Sequence, residues 1–179
     1  VGTGTQYLIG AGGIVSASAQ QGSDGLSKAN ASGTAGAIIA GFEKATANAT
    51  ITPTVKAALG TNALVTAGTE FTLLSTSGVG GGADARTTAG AIISYGNALP
   101  VVTLNQTLTA EVGTGAAVTA GGNVTVNALG DLYVKMNASS KGGGAISGAD
   151  GDATANIGYS TNVNIGTDAT IHAGRDLEL

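Results

Sequence analysis

Ala63-Leu64-Val65-Thr66-Ala67-Gly68-Thr69-Glu70-Phe71-Thr72-Leu73 alternates, breaks and alternates again. Ala63, Val65 and Ala67 fall on one side of the run, Gly68 interrupts it, and Phe71 and Leu73 resume the alternation. Period-two patterning with β-branched residues marks a strand with one buried face. A glycine between two such runs marks a corner where the backbone needs positive φ or close approach. The segment therefore predicts strand, corner, strand.

The same block recurs. Ala116, Val118, Ala120, Gly121, Val124 and Val126 repeat it, as do Ala169, Ile171, Ala173, Gly174, Leu177 and Leu179. Tyr7, Ile9, Ala11, Gly12, Val15 and Ala17 form a looser first copy. Gly-Thr begins at Gly4, Gly60, Gly113 and Gly166, and Ala-Gly at Ala11, Ala67, Ala120 and Ala173; both series step by 56, 53 and 53 residues. Gly-Ala-Ile at Gly36, Gly90 and Gly144 steps by 54. A fixed period of this length predicts one supersecondary unit stacked on copies of itself. The units run approximately over 4–59, 60–112, 113–165 and a partial 166–179, so that 1–179 is a single solenoid segment, expected to be an excerpt of a longer array.

One strand–corner–strand cannot bury its face alone, so like must stack on like in parallel. The expected fold is all-β, a parallel β-helix (β-solenoid). Its core is expected at Val65, Phe71, Leu73, Val118, Val124, Val126, Ile171 and Leu177, with corner glycines Gly12, Gly68, Gly121 and Gly174. Val65, Val118 and Ile171 should line one interior column, and Phe71, Val124 and Leu177 another. Further short strands over 83–88, 90–95, 99–103 and 106–112 bring a unit to six. Six strands of typical length divide into two three-strand coils of about 26 residues each, giving a rod of about 30 Å at strand spacing. Gly78-Val79-Gly80-Gly81-Gly82 and Gly142-Gly143-Gly144 are expected to be turns or thin places where backbone meets backbone.

Composition narrows the class. Hydrophobic residues make up 42% of the chain and net charge is −4, which is not the profile of a disordered chain. Charged residues are only 10%, so Thr, Ser, Asn and Gly must build the surface. The seven Lys and Arg are scattered singly along the sequence, which argues against nucleic acid and against an anionic membrane surface. No apolar run reaches the roughly 18 residues of a membrane helix, so membrane insertion is not expected. Without cysteine there is no disulfide framework and no thiolate metal site.

Chemical constellations are sparse. His172 stands between Asp168 and Asp176, but alternation puts it outward, where other copies carry Thr66 and Thr119, and the ligand count for zinc is not met. Asp150-Gly151-Asp152 is a candidate calcium loop set against a plain polar turn. Nucleophilic catalysis needs a base beside a Ser or Thr, and the acids and lone histidine are too dispersed for it. No enzyme activity and no cofactor are expected.

The blocks VTAGGNVTVNA at 118–128 and IGTDATIHAGRDLEL at 165–179 resemble repeats of filamentous-haemagglutinin-like and leukotoxin-like giant bacterial adhesins, in a repeat style that covers about Gly4 to Leu179. The resemblance implies a right-handed parallel β-helix forming the shaft of an extracellular or cell-surface adhesin or fibre, with a binding tip outside this segment. Two alternatives stand beside it: a self-assembling extracellular filament joined through open coil ends, and a solenoid face that binds glycans. The partners expected are further repeats of the chain or copies of itself, and host or matrix glycans or proteins at the tip; nucleic acid is not among them.

Overall fold

A computed structural model describes residues 8–21 and 26–179, and among these residues it contains strands and no helix. Gly4-Thr5 and Tyr7, used above as markers of the first unit, lie outside the described residues. Every strand pairs with its neighbour in parallel. Three sheets result. Sheet A holds β1 (Leu8–Ala11), β6 (Leu64–Ala67), β9 (Ala117–Ala120) and β13 (Thr170–Ala173). Sheet B lays β2 (Val15–Gln21) and β3 (Leu26–Gly36) along β7 (Phe71–Gly90), followed by β10 (Val124–Gly143) and β14 (Leu177–Glu178). Sheet C lays β4 (Ala40–Ile51) and β5 (Thr54–Leu59) along β8 (Ile93–Val112), followed by β11 (Ile146–Gly151) and β12 (Thr154–Ile165).

Register overturns the expectation of two coils per unit. Val65 pairs with Val118 and Val118 with Ile171; Phe71 pairs with Val124 and Val124 with Leu177. Paired residues are thus one marker spacing apart, never half of one, and each unit contributes one rung. Four rungs at about 4.8 Å span about 15 Å, half the length expected. The six short strands are instead one of four residues and two of twenty, Phe71–Gly90 and Ile93–Val112. The physical reason lies in the glycines. Gly78–Gly82 continues β7 in extended conformation, because inward Val79 and Gly81 keep the alternation while the sheets close to backbone distance. A Cβ on Gly81 would stand 2.8 Å from Val102 Cγ1 on the opposite sheet.

Sheets B and C run back to back and leave a tapering interior. Near sheet A it is wide and holds Phe71, Leu73, Leu108, Val112, Val118, Val124 and Val126, all at most 1% exposed. Towards the far edge it narrows to Ala83, Ala85, Ala89 and Ala98, with Gly96, where a Cβ would lie 2.7 Å from Thr87 Oγ1. Between the two regions sits a polar layer. Ser75 Oγ donates to the Val55 carbonyl at 3.1 Å, and Gln106 Nε2 donates to the Ser77 carbonyl at 3.3 Å. Ser77 Oγ and Gln106 Oε1 are buried with no protein partner among the described residues.

Proline explains where the long ladders break. Pro53 separates β4 from β5, and Pro100 lies opposite Ala153 in the gap between β11 and β12. A proline has no N–H to give to the adjacent rung.

Sheet A is entered through a turn that repeats on three rungs. Ala63 N donates to the Gly60 carbonyl, Ala116 N to Gly113 and Ala169 N to Gly166, at 3.1–3.3 Å. The third residue of each turn has positive φ: Asn62 at 55°, Gly115 at 66° and Asp168 at 57°. Positive φ at that position alone defines a type II turn, which favours Gly or Asn there. The Gly-Thr marker is the first half of this turn.

Candidate functional site

Alternation along β7 sends odd residues inward and even residues outward. On the outer face of sheet B the middle rung reads Gly78, Gly80, Gly82, Asp84, Arg86, Thr88. The rung above places Asp131, Tyr133, Lys135, Asn137, Ser139 and Lys141 over these positions in turn. The rung below places Lys28 under Gly82, Asn30 under Asp84 and Ser32 under Arg86. Two lysines therefore stand on either side of a residue with no side chain. Beside that column runs a second, Asn30–Asp84–Asn137, and the two together line a shallow depression on the face.

The electrostatics of this patch oppose those of the whole chain. Four of the seven cationic side chains, Lys28, Arg86, Lys135 and Lys141, lie on this one face, although net charge is −4. Arg86 clamps Asp84 in two parallel bonds, Nε to Oδ1 and Nη2 to Oδ2, each 2.8 Å. This hydrogen bonding holds the Asp84 carboxyl below the usual carboxylate range against an opposing cost of partial burial; hydrogen bonding by Asn137 and the charges of Arg86 and Lys28 add to it. Asp84 thus stays ionised with its charge matched by Arg86. Lys28 and Lys135 make no ion pair among the described residues. Tyr133, two residues from Lys135 on the same face, is 58% exposed.

A second surface lies at the narrow edge where sheet B turns into sheet C. Ile38, Ile39 and Phe42 on the first rung, Ile92, Ile93 and Tyr95 on the second and Ile146 on the third are exposed. They form an uncharged apolar ridge at the Gly-Ala-Ile marker.

The residues singled out from sequence fall as follows. Val65, Phe71, Leu73, Val118, Val124 and Val126 are buried, Ile171 is half-buried, and Leu177, on the last rung, is 49% exposed. Gly68, Gly121 and Gly174 each press on the glycine one rung below: a Cβ would collide with the carbonyl oxygen of Gly12, Gly68 and Gly121 respectively. None of these corner glycines has positive φ, so close approach is what requires them. His172 is exposed and pairs in register with Thr119. Asp150 and Asp152 are exposed on β11 and just after it; Asp150 Oδ1 accepts from Gly151 N at 2.8 Å, and Asp150 Oδ2 lies 3.5 Å from the Tyr95 hydroxyl. No third acidic or histidine ligand joins them among the described residues.

The basic face went unread in the sequence. Lys28 and Lys135 are far apart in the chain and look isolated. Counting outward by the marker spacing through Gly82 would have placed them in one column. Compared with protein-family models, with curated proteins and with solved structures, the chain matches none.

Proposed function

We propose that the chain is part of the stiff shaft of an extracellular surface fibre or adhesin, in which sheets A, B and C close into a right-handed coil. The handedness rests on chain geometry, since a strand, crossover and parallel strand are right-handed in about 98% of cases. The observation that carries the proposal is the unbroken parallel pairing of like with like, Val65 on Val118 on Ile171 and Phe71 on Val124 on Leu177. Each rung adds a continuous set of hydrogen bonds perpendicular to the strands and one more layer of aliphatic core. Such an assembly extends in one direction without limit and resists bending, which suits a spacer that holds a binding tip away from the cell. A surface made mostly of Thr, Ser, Asn and Gly, with few charges to self-repel, suits repetition.

Immunogold electron microscopy of cells that produce the chain tests this, using antibody to the outer face of sheet B. Label along filaments outside the cell is expected. Label confined to the cell interior would overturn the proposal.

A further inference from the structure

We propose that the outer face of sheet B binds a polysaccharide strand bearing widely spaced carboxylates, one uronate in every two sugars, laid along the solenoid axis over Gly82. This inference does not depend on the shaft reading. Lys28 and Lys135 sit one rung below and one rung above Gly82, so their Cα atoms are about 9.6 Å apart along the axis. That separation is on the scale of a disaccharide. Each ammonium can meet one sugar carboxylate, while Gly82, itself buried, keeps the track between them free of a side chain.

The flanks suit hydroxyls more than further charge. On one side the column Asn30–Asp84–Asn137 offers amide donors and acceptors and a carboxylate, the groups that hold sugar hydroxyls. On the other side Tyr133 offers an exposed ring on which the C–H face of a pyranose can lie. The Asp84–Arg86 pair also disfavours dense polyanions. Asp84 holds Arg86 in two bonds of 2.8 Å, so a strand with a phosphate or sulfate on every unit would find only the spaced lysines to meet its charges. Four cations against two carboxylates in this patch, Asp84 and Asp131, leave it net positive on a net-acidic chain and draw an anionic ligand there.

Isothermal titration of the purified chain with hyaluronan, which carries one carboxylate per disaccharide and no sulfate, tests this. Saturable binding that weakens as salt is raised is expected. K28Q/K135Q should weaken it about tenfold, from the loss of two exposed charge contacts. Gly82→Asn, which fills the track without removing charge, should also weaken it, and Tyr133→Ala should do so by a smaller factor. Lys44→Gln, on the outer face of sheet C, should bind as the parent does. Circular dichroism checks that each variant keeps its strands. No binding of hyaluronan by the parent chain would overturn the proposal, as would undiminished binding by both K28Q/K135Q and Gly82→Asn. Equal or tighter binding of heparin or single-stranded DNA would also overturn it, reducing the face to a nonspecific polyanion patch.

Discussion

The carbonyl oxygen of Gly68 occupies the place that a Cβ on Gly121 would take, and Gly121 stands in the same relation to Gly174. The corner between sheets A and B is therefore a column of backbone on backbone. Gly121 N also donates to the Ala67 carbonyl at 3.1 Å and Gly174 N to Ala120 at 2.9 Å, so the rungs cannot separate to admit a methyl group without losing these bonds. Gly121→Ala should cost about 1–3 kcal/mol, the usual penalty of overpacking. Gly90→Ala, where a Cβ meets nothing within 4 Å, should be neutral or stabilise by up to about 1 kcal/mol through the unfolded chain. Urea melts of the two variants measure the contrast; equal midpoints would show that the corner is not tight.

The interior assignment gives a sharper contrast. Leu73 is 0% exposed and Leu177 is 49% exposed, though both lie on the inner side of sheet B. Leu73→Ala should lose about 2–5 kcal/mol. Leu177→Ala should lose well under half of that, because its side chain is covered on one side only. Thr72→Ala, one residue from Leu73 but pointing outward, should stay within about 0.5 kcal/mol of the parent. Thermal or chemical denaturation of the three variants checks the order.

These contrasts also show what the sequence could and could not yield. Alternation at Val65, Phe71 and Leu73, with its echo at Val118, Val124 and Val126, was enough for parallel stacking and for inside against outside. Coil size was not legible, because a glycine run such as Gly78–Gly82 can be a turn or an extended strand. What settles it is the opposite sheet: Val102 and Ile51 press on Gly81, a contact between residues that no local pattern connects. The basic face was hidden for a related reason. Lys28, Gly82 and Lys135 become neighbours only once the rung length is known, and halving the rung would put another coil between each pair. The type II turn is half-visible: Gly-Thr recurs, and although the next residue varies, Asn62, Gly115 and Asp168 are all types that tolerate positive φ.

The polar layer inside the taper carries a prediction of opposite sign. Ser77 Oγ is buried without a protein partner among the described residues, and its neighbour Gln106 uses the Ser77 backbone carbonyl, not the hydroxyl. Ser77→Ala should therefore keep the hydrogen bond and remove a desolvated hydroxyl, raising stability by about 1 kcal/mol. Gln106→Ala should do the reverse, stranding the Ser77 carbonyl and opening a cavity, at a cost of about 2–4 kcal/mol. A Ser77→Ala variant that melts below the parent would show that the hydroxyl is satisfied.

Acid should release the Asp84–Arg86 clamp. The folded carboxyl titrates below its ordinary value of 3.8 because Arg86 hydrogen-bonds the ionised form. Its contribution is thus fully present above the unfolded value and is lost as pH falls through the lower, folded value. The contribution is small, because Arg86 is largely exposed to solvent. The melting temperature of the parent should exceed that of Asp84→Asn by a constant amount between about pH 5 and 7, and the gap should close below about pH 4. A gap that persists at about pH 2 would mean that hydrogen bonds surviving protonation, and not the ionised pair, carry the effect.

The turn into sheet A can be tested at its left-handed residue. Gly115 has φ of 66° while Asn62 below it has 55°, and both backbones are tied to the next rung, Asn62 N to the Thr114 carbonyl and Gly115 N to the Thr167 carbonyl, each at 2.9 Å. A branched side chain in this conformation costs about 1–2 kcal/mol, and at Gly115 it would also meet the Asn62 side chain. Gly115→Val should therefore destabilise by about 2 kcal/mol or more, whereas Asn62→Gly should change stability by only a few tenths of a kcal/mol. Combining the two should recover part of the Gly115→Val loss, since removing the Asn62 side chain lifts the clash and leaves only the backbone strain. A double-mutant cycle by urea denaturation reads that coupling directly; strict additivity would show that the two rungs do not touch at this turn.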